Sequence, residues 1–473
     1  MSAERPPTRT SGPAAAVGVE ELARKLDSRD VVGVSIGWVD NNGIVRSRTV
    51  PVAELPAASR RGVGNTAAFA VFDSHDGITF AHEGLSTPSG DVRLTPVLDG
   101  PLGVTAQSGL PGFAWVPGRQ LTGDGEPWAY DQRAVLERQL DRAADAGYTF
   151  VAGFEMEMVV SHEDDPHEPT GDVVPAHRGP AYSANAMRDV SGFCRALLAD
   201  LAADGIRIGQ LHAEYGGSQV EMSLSPLPGV GAADAQVLAR QTAHAAAQRH
   251  GLRLSFAPVT TLAGAGNGWH LHSSLSGPDG TNALAGDGPH GLSPAGLGYV
   301  AGLLRELPGV TAVTAPSSGS LLRRRPGFWA SAYGFWGVEN REAAVRLVPP
   351  SALLGAEVTN VELKASDASA NPYLSLAVVL AAGLAGVADG AVPPDPIGED
   401  VGTWSEERRE AAGITALATT PERARADLLG SALVRDVLGE DLLGAFVACR
   451  DADAAWAAPR TADEVVASLR WQY

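Results

Sequence analysis

An α+β fold in two units is what the sequence predicts. Three observations point to it: a hairpin pattern near the N-terminus, short runs further on that alternate with period two, and longer helical runs between them. Glycine- and proline-rich stretches separate these runs.

Taken in chain order, residues 1–16 are rich in Pro, Ser and Thr and have no apolar centre, so they read as a loose tail and not as a leader. VVGVSIGWVDNNGIVRSRTVPV at 31–52 reads as two strands around an Asn42-Gly43 turn. Residues 124–148 open with turn formers and continue as an amphipathic helix, which places a domain boundary near 117–128. The expected units are thus 17–120 and 121–473. Residues 161–180 are acidic and Pro-bearing, a surface loop in which His162 and His167 read as solvated residues. Helices are expected at 187–204 and 231–250, the second with an Ala-rich packing face. Segments 276–294 and 388–402 read as loops. VELKASDASANPYLSL reads as strand, turn and helix: Asp367 or Ser369 caps, Pro372 suits the first turn, and Leu374 to Val387 is apolar.

Composition narrows the class. With 473 residues, 44% of them hydrophobic, the chain can bury a large core. A net charge of −19 disfavours nucleic acid or an anionic membrane as the main partner. No apolar run is long enough to span a bilayer. Cys194 and Cys449 sit in Ala- and Leu-rich helical surroundings, so buried thiols and a cytoplasmic setting are expected.

The chemistry lies in five segments. In GFEMEM (153–158) a strand would put Glu155 and Glu157 on one face and the apolar side chains on the other. In HAEYGGSQVE (212–221) Gly216 and Gly217 allow a turn, so Glu214 before it and Glu221 after it can converge. GNGWHLHSS (266–274) sets His270 and His272 two apart, behind glycines that permit a close approach. NREAAVR (340–346) and VELKASDASANPYLSL (361–376) add arginines and Glu362. Oxygen-rich ligands with one imidazole suit Mg²⁺ or Mn²⁺, and arginines suit phosphate.

In this order and at these separations the segments resemble those of the glutamine synthetase family, from about residue 30 onward. The resemblance implies an N-terminal β-grasp domain, a catalytic domain on a curved antiparallel sheet with flanking helices, and two stacked hexameric rings with shared sites. It implies an ATP-dependent ligase that joins an acid to an amine through an acyl phosphate, with two divalent ions per site. By position, Glu157, Glu214 and Glu221 correspond to the ligands of one ion, and Glu155, His270 and Glu362 to those of the other. His272, Ser274 and Asn360 fall on the nucleotide side, Gly266, Trp329 and Lys364 on the substrate side, and Arg323, Arg341 and Arg346 at the acid and the transferred phosphate.

Departures from the family pattern sharpen the expectation. Lys364 stands where an arginine grips the acid, although only two of the 36 basic residues, Lys25 and Lys364, are lysine. Trp329 stands where ammonia-using members carry a flap glutamate, and Asp73 and Asp76 are the nearest counterparts of the ammonium-binding acid. Asn360 replaces an arginine and Ala265 an asparagine. A missing ammonium cage points to glutamate or an analogue joined to an organic amine. The alternatives are a glutamine synthetase using ammonia and a silent homologue with a binding role.

Overall fold

The computed structural model describes residues 13–163, 171–353 and 355–473, with side chains from residue 18. Most of the expected tail, and His167, lie outside them; Pro13–Asp27 form helix α1, so the tail ends earlier than residue 16.

The N-terminal sheet is built on the hairpin. Strands β1 (Gly33–Val39) and β2 (Val45–Pro51) pair antiparallel. Val34, Ile36 and Trp38 alternate inward and are buried. Five residues connect the strands, not two: Asp40 Oδ1 accepts from the N–H groups of Asn42 (2.9 Å) and Ile44 (3.1 Å), a side-chain-held turn that the dipeptide alone did not reveal. After α2 (Leu55–Arg61) come β3 (Val63–Thr66), β4 (Asp91–Pro96), β5 (Thr105–Ala106) and β6 (Phe113–Leu121). The order β2-β1-β6-β4-β3, with β1 and β6 parallel, is the β-grasp arrangement, and Val19, Ala23 and Leu26 of α1 pack on it.

Helix α3 (Gln132–Asp145) follows the expected turn formers. Trp128 and Asp131 first close turns on Gln120 and Trp128, and Asp131 then caps the helix. Beyond it, β7 (Thr149–His162) is the spine of a nine-stranded sheet; His162 is exposed at its end. There follow α4 (Ala184–Asp189), α5 (Ser191–Ala203), β8 (Ile208–Ala213), β9 (Gln219–Leu224), β10 (Leu227–Pro228), α6 (Val230–Gln248), β11 (Leu252–Ser255) and β12 (Trp269–Ser276). After them come α7 (Pro294–Thr314), α8 (Ser318–Arg323), β13 (Tyr333–Gly334), β14 (Trp336–Val338), β15 (Val345–Val348), β16 (Asn360–Leu363) and α9 (Pro372–Ala388). The sheet runs β14-β15-β16-β12-β7-β9-β8, antiparallel except for β14 and β15.

One face of this sheet is apolar and is covered by helices. Phe154 of β7 stacks on Trp269 of β12 at 4.6 Å, both fully buried. Helices α7 and α9 cross closely because Gly302 meets Ala382 O, where a Cβ would come within 2.1 Å. The cap of α9 is Asn371, not Asp367 or Ser369. Its Oδ1 accepts from Tyr373 and Leu374 N–H, while Nδ2 donates to Val39 O (3.0 Å) and Asp40 O (3.1 Å). One amide thus caps a catalytic-domain helix and holds the N-terminal hairpin. Asp367 instead closes the preceding turn by accepting from Ser369 N. Both cysteines are buried and free, and burial pushes the thiols up to about 11 (Cys194) and about 12 (Cys449). Among the described residues no helix is long and apolar enough to cross a membrane.

Candidate active site

The polar face of the nine-stranded sheet carries the site, and strand register assembles it. Arg346 pairs with Glu362 across β15 and β16, and Glu362 with His272 across β16 and β12. Two residues along, His270 lies opposite Glu155 on β7. Two further, Glu157 lies opposite Glu221 on β9, and Glu221 opposite His212 on β8. Residues two apart on a strand share a face, so three adjacent rows stack their charged side chains together.

Glu155, His270 and Glu362 bring ligand atoms within 4.8 Å of one another. His270 Nδ1 lies 3.3 Å from Glu155 Oε2 and 3.3 Å from Glu362 Oε1. Glu362 is fully buried, with Arg346 Nη1 at 2.7 Å and Lys364 Nζ at 3.3 Å. Burial pushes the Glu155 and Glu362 carboxyls up, but the histidines, and Lys364 beside Glu362, outweigh it and hold both well below the usual carboxylate range. His272 moves the other way, up to about 9: burial opposes its charge and the two carboxylates prevail. Asn360 Oδ1 lies 2.8 Å from His272 Nδ1, and Asn360 Nδ2 donates to Val358 O, so the amide oxygen accepts the imidazole proton. Nε2 is buried and faces Glu155 Oε1 at 3.4 Å. Two carboxylates held ionised and the His270 imidazole fit a hard divalent cation.

A second group gathers beside the first. His212, Glu214 and Glu221 converge within 4.8 Å, with His212 Nε2 3.3 Å from Glu221 Oε1. Glu157, expected in this set, is absent from the convergence. Its Oε2 accepts from Gln219 Nε2 (2.9 Å) and from the Gly268 N–H (2.7 Å), and only its charge bears on Glu214. Gly268 is required there, since a Cβ would stand 2.5 Å from Glu157 Oε1 and 2.7 Å from His270 Nε2. Burial, relieved by the Tyr182 hydroxyl and reinforced by Glu157 and Glu221, raises the Glu214 carboxyl. His212 is pushed up to about 9, chiefly by its hydrogen bond to Glu221. His212 was legible in principle, two residues before Glu214. Gln219, in the same HAEYGGSQVE segment, also donates to Gly266 O and Asn267 Oδ1.

The remaining candidates divide between the sheet and its rim. Arg323 is buried, donates to Ser366 O at 2.9 Å and packs its stem where a Cβ on Gly266 would be, so those two come together. Arg346 keeps a buried Nε without a partner. Lys364 stands beside the triad, its Nζ 3.3 Å from both His270 Nε2 and Glu362 Oε1. Ser274 is half-buried on β12, and Arg341 is exposed in the turn before β15. Trp329 is 56% exposed at a left-handed φ of 50°, on a flap tied down by Arg325 to Leu262 O and Gly264 O. Asp73 and Asp76 are spent locally, the first on the N–H groups of His75 and Gly77, the second on Arg46.

Residues 129–464 match the glutamine synthetase catalytic domain. Over 455 residues, 96% of either chain, this one is 41% identical to the γ-glutamylpolyamine synthetase GlnA3 of Streptomyces coelicolor. A glutamine synthetase of Halobacterium salinarum is 34% identical over 68% of this chain and 70% of its own. A crystal structure of a novel glutamine synthase homolog, 30% identical, superposes with a TM-score of 0.81 over 94% of this chain and 99% of that one. The chain belongs to the glutamine synthetase family. It is an ATP-dependent ligase that forms a carbon–nitrogen bond between an acid and an amine.

Proposed function

We propose that this ligase makes γ-glutamyl amides of organic amines, with polyamines as the amine class. The observation that carries the amine is Trp329, an exposed aromatic face on the flap where a charged oxygen would be needed to replace the water around ammonium. Similarity along nearly the whole chain to a γ-glutamylpolyamine synthetase supports it.

The reaction has two steps. A glutamate side-chain oxygen attacks the γ-phosphorus of ATP and ADP leaves; the amine nitrogen then attacks the acyl carbon, losing a proton as inorganic phosphate departs. Divalent ions, Mg²⁺ or Mn²⁺, supply neutralisation of the phosphoryl oxygens when bound. Glu155, His270 and Glu362 are the proposed holders of one ion, and Glu214 and Glu221, with His212 or Glu157, of a second. Arg341 and Arg346, whose Nε is unspent, are the proposed partners of the transferred phosphate, and Arg323, Gly266 and Lys364 the proposed border of the acid. Asn360 orients His272 toward the nucleotide side, with Ser274 along the same strand. The proposed assembly is two stacked hexameric rings in which a neighbour's N-terminal domain completes each site.

Mass analysis of products tests the reading. With ATP, glutamate and a diamine, one γ-glutamyl adduct should form per ADP released. Glutamine formed from ammonium with no gain from any organic amine would instead establish the ammonia-using alternative. Absence of ADP with every acid and amine would leave a silent homologue.

A further inference from the structure

Among the described residues, buried carboxylates have hydrogen-bond partners, with one exception. Asp131 accepts from backbone N–H groups, Asp234 from Arg133 and Tyr373, Asp453 from Ser74, and Glu362 from Arg346. Glu342 is only 3% exposed, yet neither of its side-chain oxygens meets a donor at full hydrogen-bond geometry, the Trp329 backbone N–H being the one donor that bears on it, and no other buried carboxylate among the described residues is in that position. Leaving such a group unpaired is costly, so its retention calls for a missing partner.

Its surroundings indicate the partner's chemistry. Glu342 is held in the 340–343 turn, where its N–H donates to Asn340 Oδ1 at 3.0 Å and Asn340 Nδ2 donates to Ile397 O and Glu399 O. Burial pushes its carboxyl up to about 7; Asp400 adds to the rise, while Lys364 and the Trp329 backbone N–H oppose it. The position therefore lies between the flap, the end of β16 and the 398–402 segment. Lys364 is committed to Glu362 and His270 and forms no ion pair with Glu342. Glu342 thus lies within reach of the charge of Lys364 and beside the flap that carries Trp329.

We propose that Glu342 is a specificity-determining anchor that binds a second cationic nitrogen of a diamine or polyamine, one separate from the nitrogen that attacks the acyl phosphate. This rests on the γ-glutamyl-amide reading above and deepens it: the amine is held at two points, and chains lacking a second charge forgo one of them. The site favours amines carrying two or more ammonium groups over monoamines.

The test compares a four-carbon α,ω-diamine with the four-carbon monoamine in wild type and Glu342→Gln, with melting followed alongside. Loss of a charge-assisted contact should raise KM for the diamine about tenfold or more in Glu342→Gln while KM for the monoamine stays within about twofold. KM for glutamate and ATP should not move. Glu342→Asp, which keeps the charge, should recover part of the diamine affinity. Diamine and monoamine KM changing together, or neither changing, overturns the anchor while leaving the γ-glutamyl-amide reading intact. Failure of wild type to consume either amine overturns both.

Discussion

The two sides of the candidate site are held by different physics. On the sheet side, Glu155, Glu221, His270, His272, Glu362 and Arg346 sit on paired strands whose register fixes every neighbour. On the rim, Trp329 and Glu342 sit in loops, with left-handed backbone at Trp329, Ser331 and Glu339 and long-range ties through Arg325 and Asn340. The sheet side is electrostatically closed, carboxylate against imidazole, lysine and arginine. The rim leaves an aromatic face exposed and a carboxylate unpaired. The contrast suggests that the shared phosphoryl chemistry is built into the sheet, whereas the choice of amine is left to loops that can vary without disturbing it.

The comparison breaks most visibly at Glu362. Glu362→Ala removes a fully buried carboxylate and strands Arg346 and Lys364, so we expect a stability loss of about 3–5 kcal/mol and no measurable turnover. The half-buried Glu214→Ala should keep its fold and still lose most activity. Denaturant melts and ATP turnover check both; an active Glu362→Ala protein would remove the triad from the mechanism.

Metal should separate the two sides next. Mg²⁺ or Mn²⁺ at about a hundred times its dissociation constant stabilises a protein by about 2.7 kcal/mol through binding the folded state alone. That stabilisation should vanish on chelation, shrink in Glu214→Ala, which keeps the other ion's ligands, and survive whole in Trp329→Ala. Equal metal-induced melting shifts in all three proteins would contradict the assignment.

On the rim, Trp329→Ala and Trp329→Glu should change stability by no more than about 0.5 kcal/mol, because the ring is largely exposed. Their effect belongs to selectivity: loss of a contact worth about 0.5–2 kcal/mol should shift the ratio of organic-amine to ammonium turnover toward ammonium, most in the glutamate variant. An unchanged ratio would make Trp329 a bystander.

The smallest effect is on pH. Glu342, facing Asp400 and Lys364, has its carboxyl raised from the ordinary 4.5 to about 7. The folded state therefore holds this proton more tightly than the unfolded chain does. Its contribution to stability is full below the unfolded value and is lost as pH climbs through about 7. Glu342→Gln should accordingly gain on wild type as pH rises across that window, and a diamine should narrow the gap. Parallel stability curves would show that the carboxylate is already paired.

How much of this was legible in the sequence follows the same divide. Period-two alternation exposed Glu155 with Glu157 and His270 with His272, and the hairpin and the apolar helix at 372–388 followed from local pattern. Register across three strands is not local, so the approach of His212 to Glu221 across β8 and β9 did not follow from either segment alone. The cap fell to Asn371 because the same side chain also holds the N-terminal hairpin, a contact more than 300 residues away in sequence. Glu342 gave no signal at all, since its meaning lies in what the 328–331 flap and the 398–402 segment fail to offer it.

The central claim, a γ-glutamyl ligase whose rim selects an organic amine, meets its most direct test in a single competition. Glutamate and ATP are supplied with equal concentrations of a diamine and ammonium, and the two amide products are quantified together. The γ-glutamyl diamine adduct should dominate glutamine in wild type, and Trp329→Glu should move the balance toward glutamine. Glutamine dominating in the unmodified protein would contradict the claim and make this chain an ammonia-using glutamine synthetase.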